Sequence, residues 1–179
     1  MVGGFQQARP KKDTMTGSYT LVETEARVSH RLSHMTLDFE AMAVTHNLFR
    51  AASAVRNHLE RNVLSESGLS WTAFLVLWVT WIWEPVETRV VALESGISKA
   101  TLTGVLSTLE KLEYAVRTRS PEDGRRVLVT LTDKGRDLME DLFPAFNLQE
   151  VDIVSHVPVE NRSDLATMLR QLISYTEEA

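Results

Sequence analysis

The chain has 179 residues, 44% of them hydrophobic, with no cysteine and a formal charge of −5. That length and composition suit one ordinary globular domain carrying appended helices. The missing cysteine removes disulfides, thiol catalysis and thiolate metal sites together, and the acidic balance argues at first sight against nucleic acid as a partner.

Residues 1–17 lack the apolar core of a signal peptide and read as a flexible tail. The most apolar run, Trp71 to Trp83, is too short for a membrane span and is interrupted by Thr72 and Thr80. The expected location is therefore the cytoplasm. Residues 18–35 form a short amphipathic helix on the pattern of Leu21, Val22, Ala26, Val28 and Leu32. His30 and His34 stand four apart there and His46 follows, but no cysteine or acidic partner completes a shell, so no metal is expected.

Leu37 to Leu64 reads as the first long helix, with an apolar stripe of Leu37, Ala41, Val44, Leu48, Ala52, Val55 and Leu59. Met42, Phe49 and Val63 widen that stripe enough to contact two neighbours. Ser70 then caps a helix from Trp71 to Trp83 that holds all four tryptophans. Trp71, Phe74, Trp78 and Trp81 share one face of it. Aromatics at this spacing serve either core packing or the wall of a cavity for a planar, acidic small molecule. In the second case His46, Asn47 and Arg50 of the preceding helix would supply the polar contacts.

Val86 to Leu93 has helical spacing, with Val86, Val90, Val91 and Leu93 as its buried candidates. Gly96 supplies the left-handed residue of a tight inter-helix turn. Ala92 is small where two helices cross closely, and Ile97 plugs the turn. Ser98 caps a second helix, Lys99 to Leu112, which packs through Leu102, Val105, Leu106, Leu109 and Leu112. Two helices about a glycine turn make a helix-turn-helix, whose second helix enters the major groove of DNA. Its outward face, Ser98, Lys99, Thr101, Thr103 and Ser107, offers hydroxyls and a cation to phosphates and base edges.

Tyr114 to Arg119 then reads as a strand with Val116 inward and Arg117 and Arg119 outward, and Arg126 to Leu131 returns. Between them Ser120-Pro121-Glu122-Asp123-Gly124 is a turn cluster, which places Arg125 beside the tip of a β-hairpin wing. A guanidinium there suits the narrow, electronegative minor groove, and Asp123 could hold its fork. Residues 86–135 carry eight Lys/Arg against seven Asp/Glu, a net of +1, while residues 136–179 carry three against nine, a net of −6. The acid thus sits mainly outside this stretch.

At these residues the sequence resembles a known family. Asp123-Gly124-Arg125-Arg126 followed by Val129-Thr130-Leu131-Thr132-Asp133-Lys134-Gly135 is similar to the wing signature of the MarR family of winged-helix transcription factors, and Gly68 to Leu77 resembles that family's second helix. The resemblance covers roughly residues 36 to 176. It implies a homodimer on a palindromic operator of double-stranded DNA. It also implies effectors that bind between the dimerisation helices and the DNA-binding lobe.

Thr132 caps a long helix, Asp133 to about Val154, in which Leu138, Leu142, Phe146 and Val151 are apolar and Pro144 calls for a bend. A last helix, Val159 to Thr176, carries Leu165, Met168, Leu169, Leu172 and Ile173. The fold expected is mainly α with a small β-wing. Residues 18–64 and 136–179 are dimerisation helices flanking a winged helix-turn-helix of residues 65–135. No nucleophile elbow, phosphate-cradling glycine loop or acidic magnesium cluster points to an enzyme, and no cofactor is implied. DNA contacts fall to Ser98, Lys99, Thr101, Thr103, Ser107, Arg117, Arg119, Asp123, Arg125 and Arg126. The expected function is a repressor modulated by a small aromatic ligand. The alternative is a winged-helix module that binds protein instead of specific DNA.

Overall fold

A computed structural model describes residues 19–178, so the tail expected over residues 1–17 lies outside the described residues. The chain divides into two compact units, one up to Ala52 and one from Ser53 onward.

In the first unit α1 (Leu21–Arg31) starts at a capping box, the Thr20 hydroxyl accepting from Glu23 N while the Glu23 carboxylate accepts from Thr20 N. Those hydrogen bonds hold the Glu23 carboxyl below its ordinary range. The helix is shorter than the expected 18–35. Asn47 Nδ2 on α2 (Phe39–Leu59) donates to Glu25 Oε1 of α1 at 2.7 Å. None of α1 is buried, and Val44, Leu48 and Phe49 of α2 remain exposed, so only the C-terminal end of the stripe read along this helix, Val55 and Leu59, packs into the core.

The second unit holds the core. After Leu59 the helix widens into a π turn, Glu60–Leu64, and closes through α3 (Ser65–Ser67). The single long helix expected over 37–64 is thus interrupted near its end, where Val63 and Leu64 turn inward. The centre of the unit is α4 (Trp71–Trp83), whose N-cap Ser70 accepts from Ala73 N. Phe74, Val76, Leu77, Val79 and Thr80 are all buried, as a helix apolar on nearly every side requires. It packs against α5 (Thr88–Glu94), α6 (Lys99–Lys111), the sheet and α7 (Asp133–Val154).

Val86 does not begin a helix as its spacing suggests. It forms a two-residue strand, β1 (Val86–Glu87), paired antiparallel with β3 (Val127–Leu131), which pairs in turn with β2 (Ala115–Arg119). α5 follows without a break, and its Leu93 is 77% exposed where burial was expected. Val91 and Ala92 instead face the core, and Gly96 takes a φ of 63° in the turn that follows. Strand β2 also runs in the opposite register to the one its sequence suggests. Ala115 is buried, Val116 is 41% exposed, and Arg117 lies half-buried on the inward face. The alternation is real, but its phase is set by the small Ala115 fitting opposite Leu131.

Helix α7 begins where expected, at N-cap Thr132, and continues through Pro144. Its first turn comes so near the end of α6 that a Cβ on Gly135 would lie 1.9 Å from the Tyr114 carbonyl oxygen. That carbonyl is pinned because it accepts from Thr132 N. Helix α8 (Val159–Glu178) ends the described chain, and Leu165, Met168, Leu172 and Ile173 along it are exposed, as are Leu148, Val151 and Val154 late in α7. No single helix among the described residues is long and apolar enough to cross a membrane.

Because backbone sits where a Gly135 side chain would go, Gly135→Ala is expected to destabilise the protein by about 1–3 kcal/mol. A denaturant melt with an unchanged midpoint would show that the α6–α7 junction yields more easily than its hydrogen bonds suggest.

Candidate nucleic-acid interface and aromatic recess

The turn from α5 to α6 is closed by Ile97 N donating to Ala92 O and Gly96 N donating to Leu93 O, both at 3.0 Å. Ser98 then caps α6, its Oγ accepting from Thr101 N at 3.1 Å and lying 2.8 Å from Thr101 Oγ1. Leu102, Leu106 and Leu109 fix α6 to the core, which leaves Lys99, Thr101 and Thr103 exposed and Ser107 half-buried on the outer side. Within the helix Thr103 donates to Lys99 O and Ser107 to Thr103 O. Their oxygens remain free to accept, and rotation of the hydroxyl would restore a donor.

The wing is tied to this helix by an ion pair. Arg117 Nε donates to Glu110 Oε1 at 2.9 Å and Nη2 donates to Glu110 Oε2 at 2.5 Å. This fork holds the Glu110 carboxyl below its ordinary range and raises the guanidinium of Arg117 above its own. At the tip, Asp123 Oδ1 accepts from the backbone N–H of Arg125 at 3.0 Å, and Oδ2 accepts from Arg126 Nε at 3.3 Å. Arg126 Nη1 also reaches Glu87 Oε1 at 3.1 Å. Asp123 therefore grips the fork of Arg126 and not that of Arg125, against the sequence-based expectation. Among the described residues neither Arg119 nor Arg125 has a carboxylate at ion-pair distance, and both are exposed.

Between wing and helix runs a recess of about 350 Å³ lined by Arg89, Lys99, Thr103, Arg117 and their neighbours, and Arg89 also borders Arg125 and Arg126. Arg89, in the first turn of α5, was missed because nothing local in the sequence places it beside the wing. Its Nε donates to Glu87 Oε2 at 2.7 Å. Glu84 was missed as well. It accepts from Leu131 N at 2.7 Å and pairs with Arg136, joining the end of α4 to β3 and α7.

The aromatic residues behave differently. Phe74 and Phe146 stack at 4.4 Å, Trp78 and Phe143 at 4.6 Å, and Trp71 lies 6.4 Å from Phe146. These five rings wall a recess of about 440 Å³ in the second unit, completed by aliphatic side chains of α2 and α7. Trp81 meets Phe143 edge-on at 5.8 Å and is no part of that wall. Nor do His46, Asn47 and Arg50 belong to it. They line a separate recess of about 360 Å³ between α1 and α2 in the first unit. The seven residues read as one ligand site are thus not brought into one cavity wall. Contact through α7, which sequence spacing cannot show, supplies the rings that actually complete it. Among the described residues no group of three or more His, Asp or Glu side chains is arranged to hold a metal ion.

The fork has a consequence for pH. A carboxyl lowered on folding contributes stability above its unfolded value near 4.5, and that contribution is lost as pH falls through the lower folded value. Glu110→Gln should accordingly cost about 0.5–1 kcal/mol at neutral pH, discounted for a pair about a third exposed, and progressively less below pH 4. Urea midpoints across that range would show it. A deficit independent of pH would mean the fork does not titrate as described.

The SarA/Rot transcriptional-regulator family profile matches residues 58–142. The HTH-type transcriptional regulator YwaE of Bacillus subtilis is 37% identical over 137 residues, which is 76% of this chain and 80% of that protein. In a structure concerned with regulation of its DNA binding by 6-hydroxynicotinic acid, Bordetella bronchiseptica BpsR is 26% identical, with a TM-score of 0.66 over 72% of this chain and 97% of BpsR. Sco3205 of Streptomyces coelicolor, a MarR family regulator solved in complex with DNA, shares the fold at a TM-score of 0.70 and 20% identity, over 78% of this chain and 89% of its own. With its helix-turn-helix, its wing and a relative of this similarity, the chain belongs to the MarR family of winged-helix transcriptional regulators.

Proposed function

We propose that this DNA-binding regulator acts as a homodimeric repressor on a palindromic operator and that a small planar ligand modulates its binding. The observation that carries the DNA reading is Arg125, exposed at the wing tip and with no carboxylate at ion-pair distance among the described residues. Of the carboxylates around it, Glu87, Glu110 and Asp123 are each engaged by other arginines. Ser98, Lys99, Thr101 and Thr103 would read the major groove, with Ser107 at its edge. Arg119 and Arg125 would take the minor groove and backbone. Arg117, Arg126 and Asp123 hold the wing in place to do so.

The exposed apolar side chains of α7 and α8 support a dimer, because a second copy is the partner that a symmetric operator requires. The aromatic recess supports a ligand, and BpsR, whose DNA binding is regulated by 6-hydroxynicotinic acid, provides a related precedent. Of the residues read as ligand-binding, Trp71, Phe74 and Trp78 stand in that recess. A ligand preferring one dimer geometry would shift the population away from the spacing that fits the operator.

The test is a titration against the DNA upstream of the chain's own gene, with a non-specific duplex alongside. Binding should be sequence-selective and weaken steeply with salt. Arg125→Ala should lose about 1–3 kcal/mol of operator affinity while the dimer stays folded. Equal, weak binding to both duplexes would favour a module that docks protein instead.

A further inference from the structure

The aromatic recess has a charge of its own. Among the described residues Glu150 is the one ionisable side chain lining it, and no lysine, arginine or histidine does. Glu150 is held by a single neighbour, Asn147, whose Nδ2 donates to Oε2 at 3.0 Å, so its other oxygen keeps its acceptor capacity. His58, on the same stretch of α2 as the wall residues Val55 and Leu59, is hydrogen-bonded to Gln149 at 2.8 Å and does not line the space.

We infer that this recess selects a flat, lipophilic cation, such as a quaternised or protonated heteroaromatic amine, and discriminates against aromatic carboxylates. This rests on the reading of the recess as a ligand site. Trp71, Trp78 and Phe143 are only partly buried, and aromatic faces carry negative potential that attracts a cation laid against them. Glu150 adds a formal charge of the same sense, so both features favour positive charge. An anionic ligand would meet a carboxylate, with no cation among the described wall residues to offset its desolvation. A volume of about 440 Å³ holds a molecule of two or three fused rings.

Three probes of one shape separate the possibilities: N-methylquinolinium, neutral 1-methylnaphthalene and 1-naphthoate, each titrated into the intact protein by calorimetry. N-methylquinolinium should bind about tenfold more tightly than 1-methylnaphthalene, and 1-naphthoate more weakly than either. Glu150→Gln keeps the Asn147 acceptor and should cost N-methylquinolinium about tenfold while moving 1-methylnaphthalene less than twofold. If 1-naphthoate binds as well as the cation, or if Glu150→Gln leaves the cation unaffected, the charge selection is overturned while the ligand site stands. If none of the three binds at millimolar concentration, the ligand-responsive reading falls with it.

Discussion

The geometry of the proposed DNA face depends on the forked ion pair between Glu110 and Arg117. A helix-turn-helix reads bases only if its second helix is held at a fixed angle, and a wing adds affinity only if its tip stands at a fixed distance from that helix. Leu102, Leu106 and Leu109 settle the first requirement through the core. The second is served by two parallel hydrogen bonds between β2 and α6. A bidentate guanidinium–carboxylate pair fixes orientation as well as separation, which a single contact would not. Arg117 is thereby occupied with architecture, while Arg119 and Arg125 have no carboxylate at ion-pair distance among the described residues.

The same division of labour runs through the other charges of this face. Glu87, Glu110 and Asp123 look like acid in the wrong place for a DNA binder, yet each is matched to an arginine and stiffens the wing. Glu84 does comparable work behind the sheet, where one carboxylate serves the end of β3 and the start of α7. The raised guanidinium of Arg136 reflects that contact. Gly135 then allows α7 to leave the winged helix within touching distance of Tyr114. The core helix α4 links the two faces of the unit, since its buried side supports α6 and the sheet while its aromatic side walls the recess with α7.

Much of this was legible in the sequence. Ser70, Ser98 and Thr132 mark helix starts by hydroxyls that cap the backbone, and Gly96 marks a turn that only a left-handed residue closes easily. Those signals are local, and they hold. What could not be read was set by contacts distant in the chain. Val86 becomes a strand because Val129 lies beside it, and the wing's inward face is the one opposite Leu131, not the one bearing the larger valine. The wall that Trp71, Phe74 and Trp78 share with α7 was hidden for a related reason. Helical spacing shows which residues share a face and is silent on which wall that face joins. Phe143, Phe146 and Glu150 lie some seventy residues beyond Trp71 to Trp78, and no periodicity connects them.

The measurement that bears most directly on this account is a double-mutant cycle across Glu110 and Arg117, read as operator affinity in folded protein. If wing and helix form one reading surface through the fork, Glu110→Gln and Arg117→Ala should each weaken binding. The double variant should then lose little more than either alone, a coupling of about 1 kcal/mol or more. Additive losses would mean that each residue acts on DNA separately, and the fork would no longer explain how the wing is positioned.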